Sequence, residues 1–404
     1  MAFTAHKIWK ILTTLLLLAL TIQFTLRGFF KPKLNLEDKT VSAVIKTGDK
    51  RKVILLLADA LREDFVEFDT DDKRLLDTNR HGSYKGKRMS IFRDARMNHP
   101  ENSLLFPFRS EMPTVTSVRI RGMLSGGLST FFETTSEFGA KEVREDNVLY
   151  QLKQSRGEQS TISFYGDYIW GPMFGKFFDK SEMFNSVDLR DLDTLDSSAS
   201  KYLLKELREG SNFDFMLGHI IGIDSAGHSF FAEHPEIERK LMDAQHIIAD
   251  VLELMDDKTT LIVFGDHGMT DDGNHGGGSE NEMRSVIFAY QKTPFPLANL
   301  YEQYKESFTD IDRTMKQVDL AAILSVLLKT SFPFSNIGVF HPLFAQTKNV
   351  AEINKMFIQN LEQIQQYLES YCAKTSQAWC TNQIDSFQKS MVEFKNIKTD
   401  RVNY

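Results

Sequence analysis

The chain has 404 residues, of which 42% are hydrophobic and 25% charged, a composition that suits a globular protein with a large core and excludes a disordered chain. Its formal net charge of −7 is modest, and its lysines and arginines are not gathered into a stripe, which excludes binding to a nucleic-acid backbone. The length allows several domains, although α/β enzymes of this size also fold as one unit.

A membrane segment is predicted near the amino terminus. Residues 11–26 carry no charge and lie between Lys10 and Arg27, whose aliphatic stems lengthen the apolar stretch. We predict a retained transmembrane signal anchor over residues 11–29, after a cytosolic terminus of residues 1–10. A cleaved signal peptide and a buried helix are the alternatives, although no small-residue cleavage site follows the stretch.

Short apolar runs then alternate with helical patterns. The first run, Val53–Ala58, ends at Asp59, as expected of a strand that is buried on both faces. Similar runs lie at Thr161–Tyr165, Phe213–Ile221, Thr260–Phe264 and Ser285–Tyr290, and the clearest helical pattern spans Pro235–Met255. This alternation predicts an α/β sandwich with a mainly parallel central sheet. In such sheets, ligands bind at the carboxyl ends of the strands.

Two segments lack this alternation. Asp69–Phe108 is charged and aperiodic, and we predict a surface insertion there. Residues 349–404 are helical in pattern and contain no glycine, which predicts a helical appendage after a main domain of residues 34–345. Within this appendage, Cys372 and Cys380 form a disulfide in an oxidising compartment and stay free thiols in the cytosol.

Candidate metal ligands follow several of the predicted strands. They comprise three aspartates, three histidines and a threonine: Asp59, Thr116, Asp224, His228, Asp266, His267 and His275. Imidazole and carboxylate groups suit zinc, with manganese as the alternative, and seven donors suit two ions that share one site. Each segment alone also fits an ordinary structural role, since Asp59, for example, can cap a helix.

The stretch GDHGMTDDGNHGG at residues 265–277 contributes three of these ligands. Its glycines permit a sharp turn after the strand and a close approach of the returning loop. The segment Pro113–Arg119 contributes hydroxyl groups at a predicted helix start, where backbone N–H groups and the helix dipole favour an anion. A hydroxyl that binds a metal ion there can act as a nucleophile, which predicts a covalent phosphorylated intermediate.

In their order along the chain, these motifs resemble the alkaline phosphatase superfamily and, more narrowly, the glycosylphosphatidylinositol (GPI) ethanolamine phosphate transferases. The narrower resemblance rests on DALREDF (59–65), PTVTSVRIRGMLSG (113–126), FYGDYIW (164–170), RDLDTLD (190–196), HIIGIDSAGH (219–228), GDHGMTDDGNHGG (265–277) and QVDLAAILSVLL with PFSNIG (317–338). RDLDTLD and GGGSENEMRSVIFAY (276–290) are most similar to the type that acts on the third mannose.

The resemblance implies an alkaline-phosphatase-like α/β/α fold and an enzyme of the endoplasmic reticulum membrane. The implied reaction transfers phosphoethanolamine from phosphatidylethanolamine to a mannose hydroxyl of the GPI precursor. Thr116 takes the position of the nucleophile, with Thr114 as its nearest competitor. The resemblance places Thr116, Asp59, Asp266 and His267 around one zinc ion, and Asp224, His228 and His275 around the other.

A luminal catalytic domain is also implied, with Met1 in the cytosol, and this makes a disulfide between Cys372 and Cys380 feasible. The implied partners are the two lipids, the membrane and a stabilising membrane subunit. Asp167 and Arg190 are candidate substrate contacts, and a loop cap or a surface ion pair is the alternative role for each. Family members continue into many transmembrane helices after the catalytic domain. Because this sequence does not, we expect either a fragment or an enzyme without that membrane part.

Two other functions use the same motifs. A metal-dependent phosphodiesterase or nucleotide pyrophosphatase needs the same metals and threonine, with water as the acceptor. A non-catalytic subunit retains the metals without turnover. The metal ligands alone do not distinguish these alternatives from a transferase.

Overall fold

The computed structural model of the chain describes residues 2–29, 34, 36–40, 44–68, 84–128, 141–186, 188, 190–210, 212–304, 314–375 and 380–395. Its strands are β1 (Lys52–Ala58), β2 (Ser103–Arg109), β3 (Ile162–Asp167), β4 (Lys180–Phe184), β5 (Phe215–Ile220), β6 (Thr259–Phe264), β7 (Arg284–Gln291) and β8 (Met315–Lys316). Its helices are α1 (Ala2–Phe29), α2 (Ile91–Asn98), α3 (Thr116–Ser125), α4 (Val148–Arg156), α5 (Trp170–Phe174), α6 (Thr194–Arg208), α7 (Gly222–Ser229), α8 (Pro235–Leu254), α9 (Glu280–Met283), α10 (Ala298–Tyr304), α11 (Asp319–Leu328), α12 (Val350–Thr375) and α13 (Cys380–Lys395).

The described strands form one sheet in the order β4-β3-β5-β1-β6-β7-β2-β8. The first five of these strands are mutually parallel, and β7 is antiparallel to both of its neighbours, β6 and β2. The expected strands at the five apolar runs are confirmed to within two residues at each end. The sheet is therefore mainly parallel, as the alternating pattern predicted.

Strand β1 shows how the sheet divides the molecule into three layers. Val53, Leu55 and Leu57 belong to one hydrophobic core, which contains α11. Ile54 and Leu56 belong to a second core, which contains the buried face of α8. Since successive side chains of a strand point to opposite faces, each face of the sheet carries its own layer of helices. The expected α/β/α sandwich is confirmed.

Helix α1 stands apart from both cores. Its segment Trp9–Leu26 has a mean hydropathy of 1.6, and none of it is buried within the protein. This segment is long and apolar enough to cross a membrane by length and composition. By contrast, α11 is apolar but short, and its leucines pack in the core between the sheet and α3.

The expected insertion over Asp69–Phe108 is wrong in its second half. Residues 69–83 lie outside the described part of the chain, but α2 and β2 follow them, and β2 joins the sheet beside β7. Pro107 obscures the strand pattern, since proline cannot donate a ladder hydrogen bond. Here the backbone N–H of Ser110 donates to the carbonyl of Met283, the residue directly before β7. By alternation, the backbone of position 107 faces the other side, where β8 pairs only with Phe108 and Arg109.

Helix α12 is attached to the main domain along most of its length, from Ile353 to Lys374. In the first half of α12, Ile353 and Met356 belong to the hydrophobic core. Cys372 and Cys380 form a disulfide that joins α12 to α13. The described residues 350–375 and 380–395 are therefore helical as predicted, and packing on the core holds the first turns of α12.

Candidate active site

The candidate ligands meet at the carboxyl edge of the parallel strands. Asp59 follows β1 directly, and Asp266 and His267 follow β6 after one glycine. Asp224 and His228 lie one helical turn apart on α7, which begins directly after β5. The edge of a parallel sheet therefore brings together side chains that are far apart in sequence.

His267 occupies the centre of this cluster. Its Nε2 lies 3.2 Å from Asp266 Oδ2 and 3.5 Å from Asp59 Oδ1. Its ring also stacks on that of His275, with 4.0 Å between the centroids. The donor atoms form two overlapping groups, one of Asp59, Asp266 and His267 and the other of Asp224, His267 and His275. The sequence-based assignment placed His267 in the first group only, whereas the structure places it in both.

The loop after β6 returns His275 to the cluster. Gly273 has a φ of +81°, and a Cβ at this position would lie 2.0 Å from the carbonyl oxygen of Gly227 in α7. The loop therefore requires glycine both for its backbone conformation and for its approach to α7. As a result, His275 Nε2 lies 2.9 Å from His228 Nε2 and 3.3 Å from Asp224 Oδ1.

Thr114 fixes the orientation of this loop. Its carbonyl oxygen accepts a hydrogen bond from His275 Nδ1 at 2.7 Å. Its hydroxyl donates to the carbonyl of Gly277 at 2.9 Å and accepts from the N–H of Gly276 at 2.9 Å. The Thr114 side chain is fully buried. The hydroxyl of this competitor for the nucleophile position is thus occupied by the loop backbone.

Thr116, two residues further on, has a different environment. It is the first residue of α3 and is only partly buried. Its Oγ lies 3.2 Å from His267 Nε2 and 3.5 Å from Asp59 Oδ2. The Thr116 hydroxyl therefore faces the ligand cluster at a helix start, where N–H groups without an intrahelical partner favour an anion.

A buried chain of hydrogen bonds orients Asp59. His219 lies in β5, and its Nε2 is 3.0 Å from Asp59 Oδ2. Trp170 Nε1 donates to the other ring nitrogen of His219 at 3.1 Å. Since the indole can only donate, His219 Nδ1 accepts and its Nε2 carries the proton toward Asp59. His219 and Trp170 thus hold the carboxylate in place without belonging to the ligand groups.

A buried ion pair fixes the start of α7. The carboxylate of Asp196 accepts hydrogen bonds from the N–H groups of Ile221 at 2.8 Å and of Gly222 at 3.1 Å. Lys240 Nζ lies 3.0 Å from the same carboxylate, and both side chains are almost completely buried. The last residue of RDLDTLD therefore positions the helix that carries Asp224 and His228.

The site concentrates negative charge in a buried position. Burial raises the pKa of Asp59 well above its ordinary value, and the carboxylates of Asp266 and Asp224 raise it further. Burial lowers the pKa of His267. Burial also acts to lower the pKa of His275, but the adjacent Asp224 carboxylate outweighs this and raises the pKa to about 9. Asp224 therefore has a cationic neighbour in His275, whereas Asp59 is buried beside two further carboxylates.

The donor set fits divalent cations. Three buried carboxylate oxygens accept no hydrogen bond within the described residues: Asp59 Oδ1, Asp224 Oδ1 and Asp266 Oδ2. Each of them lies within 3.5 Å of an imidazole nitrogen. Buried oxygens without a partner are costly unless a cation binds them. Carboxylate and imidazole donors suit zinc and manganese.

A cavity of about 250 Å³ opens beside the cluster. It is lined by Asp59, Thr116, Asp167, Ile169, Ser186, Ile221, Asp224, Ser225 and His228. The candidate substrate contact Asp167 thus lies in this cavity. The other candidate, Arg190, is exposed and does not line it. The cavity has room for a small polar group beside the Thr116 hydroxyl.

Sequence reasoning assigned no role to the residues that support the ligands. His219, Trp170 and Asp196 all lie within motifs that carried the resemblance. His219 and Trp170 are remote in sequence from Asp59, and Asp196 is remote in sequence from α7. One signal was available for His219, which is an ionisable residue within the apolar run Phe213–Ile221. A polar side chain in a strand buried on both faces requires a buried partner.

Comparisons with known proteins extend these observations. The family of type I phosphodiesterases / nucleotide pyrophosphatases matches residues 134–320. GPI ethanolamine phosphate transferase 3 of Saccharomyces cerevisiae is 30% identical, over 90% of this chain and 36% of its own length. The catalytic subunit of the human GPI ethanolamine phosphate transferase 3 is 32% identical, over 80% of this chain and 29% of its own length. The chain thus spans about a third of the length of these relatives, and the resemblance that the motifs indicated is confirmed.

A solved structure shows the same fold at low sequence identity. It is a putative sulfatase from Bacteroides thetaiotaomicron, which is 12% identical with a TM-score of 0.50 over 75% of this chain and 76% of its own. At this level of identity the likeness concerns the fold alone. Together with the observed sheet, it supports the alkaline-phosphatase-like fold class that the sequence predicted.

Proposed function

We propose that this chain, a homologue of the GPI ethanolamine phosphate transferases, transfers phosphoethanolamine from phosphatidylethanolamine to a mannose hydroxyl of the GPI precursor. The third mannose is the proposed acceptor, since both relatives described above are named as type 3 enzymes. The observation that carries the proposal is the position of the Thr116 hydroxyl, 3.2 Å from Nε2 of His267, the residue that belongs to both groups of candidate ligands.

The ligand cluster is proposed to hold two divalent cations, with zinc as the main candidate and manganese as the alternative. Asp59, Asp266, His267 and Thr116 would hold one ion, and Asp224, His228 and His275 the other, with His267 close to both. When bound, such a pair acts as a Lewis acid and makes a neighbouring hydroxyl nucleophilic near neutral pH. His219 and Thr114 keep the ring and carboxylate donors in place.

Thr116 is proposed to form a covalent intermediate. Its Oγ attacks the phosphorus of phosphatidylethanolamine, the bond from phosphorus to the diacylglycerol oxygen breaks, and that oxygen takes up the proton that Thr116 loses. In the second half, a mannose hydroxyl attacks phosphorus, the bond to Thr116 Oγ breaks, and the proton returns to Thr116. The N–H groups at the start of α3 stabilise negative charge on the phosphoryl oxygens in both steps.

The proposed location is the endoplasmic reticulum membrane with a luminal catalytic domain. Residues 1–10 would be cytosolic, residues 11–29 would cross the membrane, residues 34–345 would form the catalytic domain, and residues 349–404 would form its helical appendage. The exposed apolar surface of Trp9–Leu26 supports the anchor, and the disulfide between Cys372 and Cys380 fits an oxidising lumen. The proposed partners are the two lipids and a stabilising membrane subunit.

A hydrolase is the second candidate, because the family that matches residues 134–320 is one of phosphodiesterases. In that case water replaces the mannose hydroxyl in the second half-reaction. The purified chain in detergent, incubated with phosphatidylethanolamine labelled in its head group and a mannosylated GPI precursor, tests both. We expect label on the glycan. Release of free phosphoethanolamine would indicate the hydrolase, and an unchanged donor would indicate a binding subunit.

The Thr116→Ala variant tests the covalent route. We expect loss of transfer, while metal analysis still finds close to the wild-type zinc content, because the carboxylate and imidazole donors remain. Thr161→Ala is the matched control, since Thr161 precedes β3 at the amino end of the sheet. Transfer that persists in the Thr116→Ala variant would contradict the covalent role.

A further inference from the structure

Asp167 is a carboxylate that the metal ligands leave unexplained. It is the last residue of β3, it lines the same cavity as Thr116, and only 8% of its surface is exposed. It belongs to neither group of candidate ligands among the described residues. A carboxylate that is nine-tenths buried needs a partner, because burial without one is costly.

The protein fixes one oxygen of this carboxylate. Asp167 Oδ1 accepts hydrogen bonds from the N–H of Ile169 at 3.1 Å and from the hydroxyl of Ser186 at 3.1 Å. Within the described part of the chain, no hydrogen bond or ion pair to Asp167 Oδ2 is present. The side chain is therefore held in one orientation, while the second oxygen stays available to a ligand in the cavity.

The backbone places Asp167 beside the ligand cluster. Its neighbour Gly166 lies so close to β5 that a Cβ there would be 2.6 Å from the carbonyl oxygen of His219. Strand β3 can thus approach the strand that carries His219, and His219 in turn contacts Asp59. This approach brings the Asp167 carboxylate to the wall of the cavity that the Thr116 hydroxyl also faces.

The charges in the cavity indicate what Asp167 binds. The lining residues include three aspartates but neither lysine nor arginine. Asp59 and Asp224 are directed at the proposed cations, which leaves the Asp167 carboxylate without a lysine or arginine among the described residues that line the cavity. A phosphodiester that is only negatively charged gains nothing at this position. A head group that also carries a positive charge would compensate the carboxylate.

We propose that Asp167, oriented by Ser186, binds the primary ammonium group of the phosphoethanolamine unit while Thr116 reacts with its phosphorus. This inference rests on the proposed function and adds to it the residue that selects the head group. A primary ammonium donates hydrogen bonds to a carboxylate, whereas the trimethylammonium of choline has no N–H to donate. Since the ammonium stays on the transferred unit, Asp167 holds it in both half-reactions.

Soluble donors separate this role from the chemistry at phosphorus. The full chain, purified in detergent with its metals, is given the 4-nitrophenyl phosphodiesters of ethanolamine, of propanol and of choline. Release of 4-nitrophenolate is measured for each. A charged hydrogen bond is worth enough to favour the ethanolamine donor over the uncharged propyl donor about 10- to 100-fold in kcat/KM. The choline donor is expected to react more slowly than the ethanolamine donor.

The Asp167→Asn variant is expected to bring the ratio of ethanolamine to propyl donor close to one. Asp250→Asn removes a charge from the exposed face of α8 and serves as the matched control, with the wild-type ratio expected. An Asp167→Asn variant that keeps the wild-type ratio would overturn the inference. If the Asp167→Asn variant does not fold, the wild-type protein still tests the inference. A wild-type ratio of kcat/KM for the ethanolamine and propyl donors close to one overturns it.

The ammonium site at Asp167 and the proposed reaction at Thr116 are rejected by different results. If the wild-type chain turns over all three donors at similar rates, the phosphodiester chemistry stands and the ammonium site is rejected. If it turns over none of them although zinc is bound, the proposed reaction at Thr116 is rejected and the ammonium site with it.

Discussion

Replacing Lys240 by methionine removes the buried ion pair that fixes α7. It also removes longer contacts to Asp193 and Asp243, which both keep Arg239 as a partner. The Lys240 and Asp196 side chains are 2% and 5% exposed, and Lys240 Nζ lies 3.0 Å from the carboxylate. Methionine fills a similar volume but leaves Asp196 charged and buried. Burial already raises the pKa of Asp196, and Lys240 counteracts that effect.

The expected loss follows from this geometry. Removing one partner of a buried ion pair costs about 3–5 kcal/mol. Because the N–H groups of Ile221 and Gly222 still bind the Asp196 carboxylate, we expect the lower end, about 3 kcal/mol. For a domain of this size, that corresponds to a melting temperature lower by roughly 6 °C.

Thermal and urea unfolding of the purified chain, followed by circular dichroism, measures this loss. Lys205→Met is the control, since Lys205 forms an exposed i,i+4 pair with Glu209 and should cost less than about 0.5 kcal/mol. The double variant Lys240→Met/Asp196→Asn should recover part of the stability, because position 196 then carries no buried charge that lacks a cation. A double variant no more stable than Lys240→Met, or a single variant as stable as the control, would refute the reasoning.

Two further predictions concern histidines outside the ligand groups. In the His219→Phe variant, Asp59 loses the hydrogen bond that orients it. We therefore expect the zinc affinity, measured by competition with a chelator, to fall about 10- to 100-fold. The control His246→Phe, at an exposed position, should bind zinc like the wild type. Burial lowers the pKa of His341 to about 4 in the folded protein. Above the pKa of the unfolded chain, about 6.5, the ring is neutral in both states and the fold keeps its full stability. As the pH falls from about 6.5 to about 4, the unfolded chain binds a proton that the folded protein does not, and stability is lost. We therefore compare how far the free energy of unfolding drops between about pH 7.5 and about pH 5 in the wild type and in the His341→Asn variant. The drop should be about 2 kcal/mol larger in the wild type. Equal drops would exclude this role for His341.

Much of the fold was predictable because its signals are local. The run Val53–Ala58 is apolar at every position, which only a strand covered on both faces requires. The periodic stripe of Pro235–Met255 likewise predicted α8 to within one residue. The prediction was wrong for β2, where Pro107 interrupts the pattern. The proline is tolerated because the neighbouring strand β8 begins only opposite Phe108.

In the candidate site, too, the residues with local signals were predictable and those that act through contacts across the sheet were not. Asp59, Asp224 and His267 were recognisable because their residue types suit metal ligands and each follows a strand or lies at the start of a helix. Their supporting residues were not recognisable, because a hydrogen bond between β5 and the end of β1 depends on which strands are neighbours. The two strands are separated by more than 150 residues in sequence but are adjacent in the sheet.

The sequence by itself determined the five apolar strands, helix α8, the membrane-competent segment Trp9–Leu26 and the donor types, since these depend on composition and on spacing along the chain. Only the tertiary structure decided that His267 stands between both ligand groups, that Thr114 is occupied by the loop of His275, and that Asp167 faces the cavity. The physical reason is that pairing of charges and hydrogen bonds in a buried site is a property of distances in space. The order of strands in the sheet sets those distances.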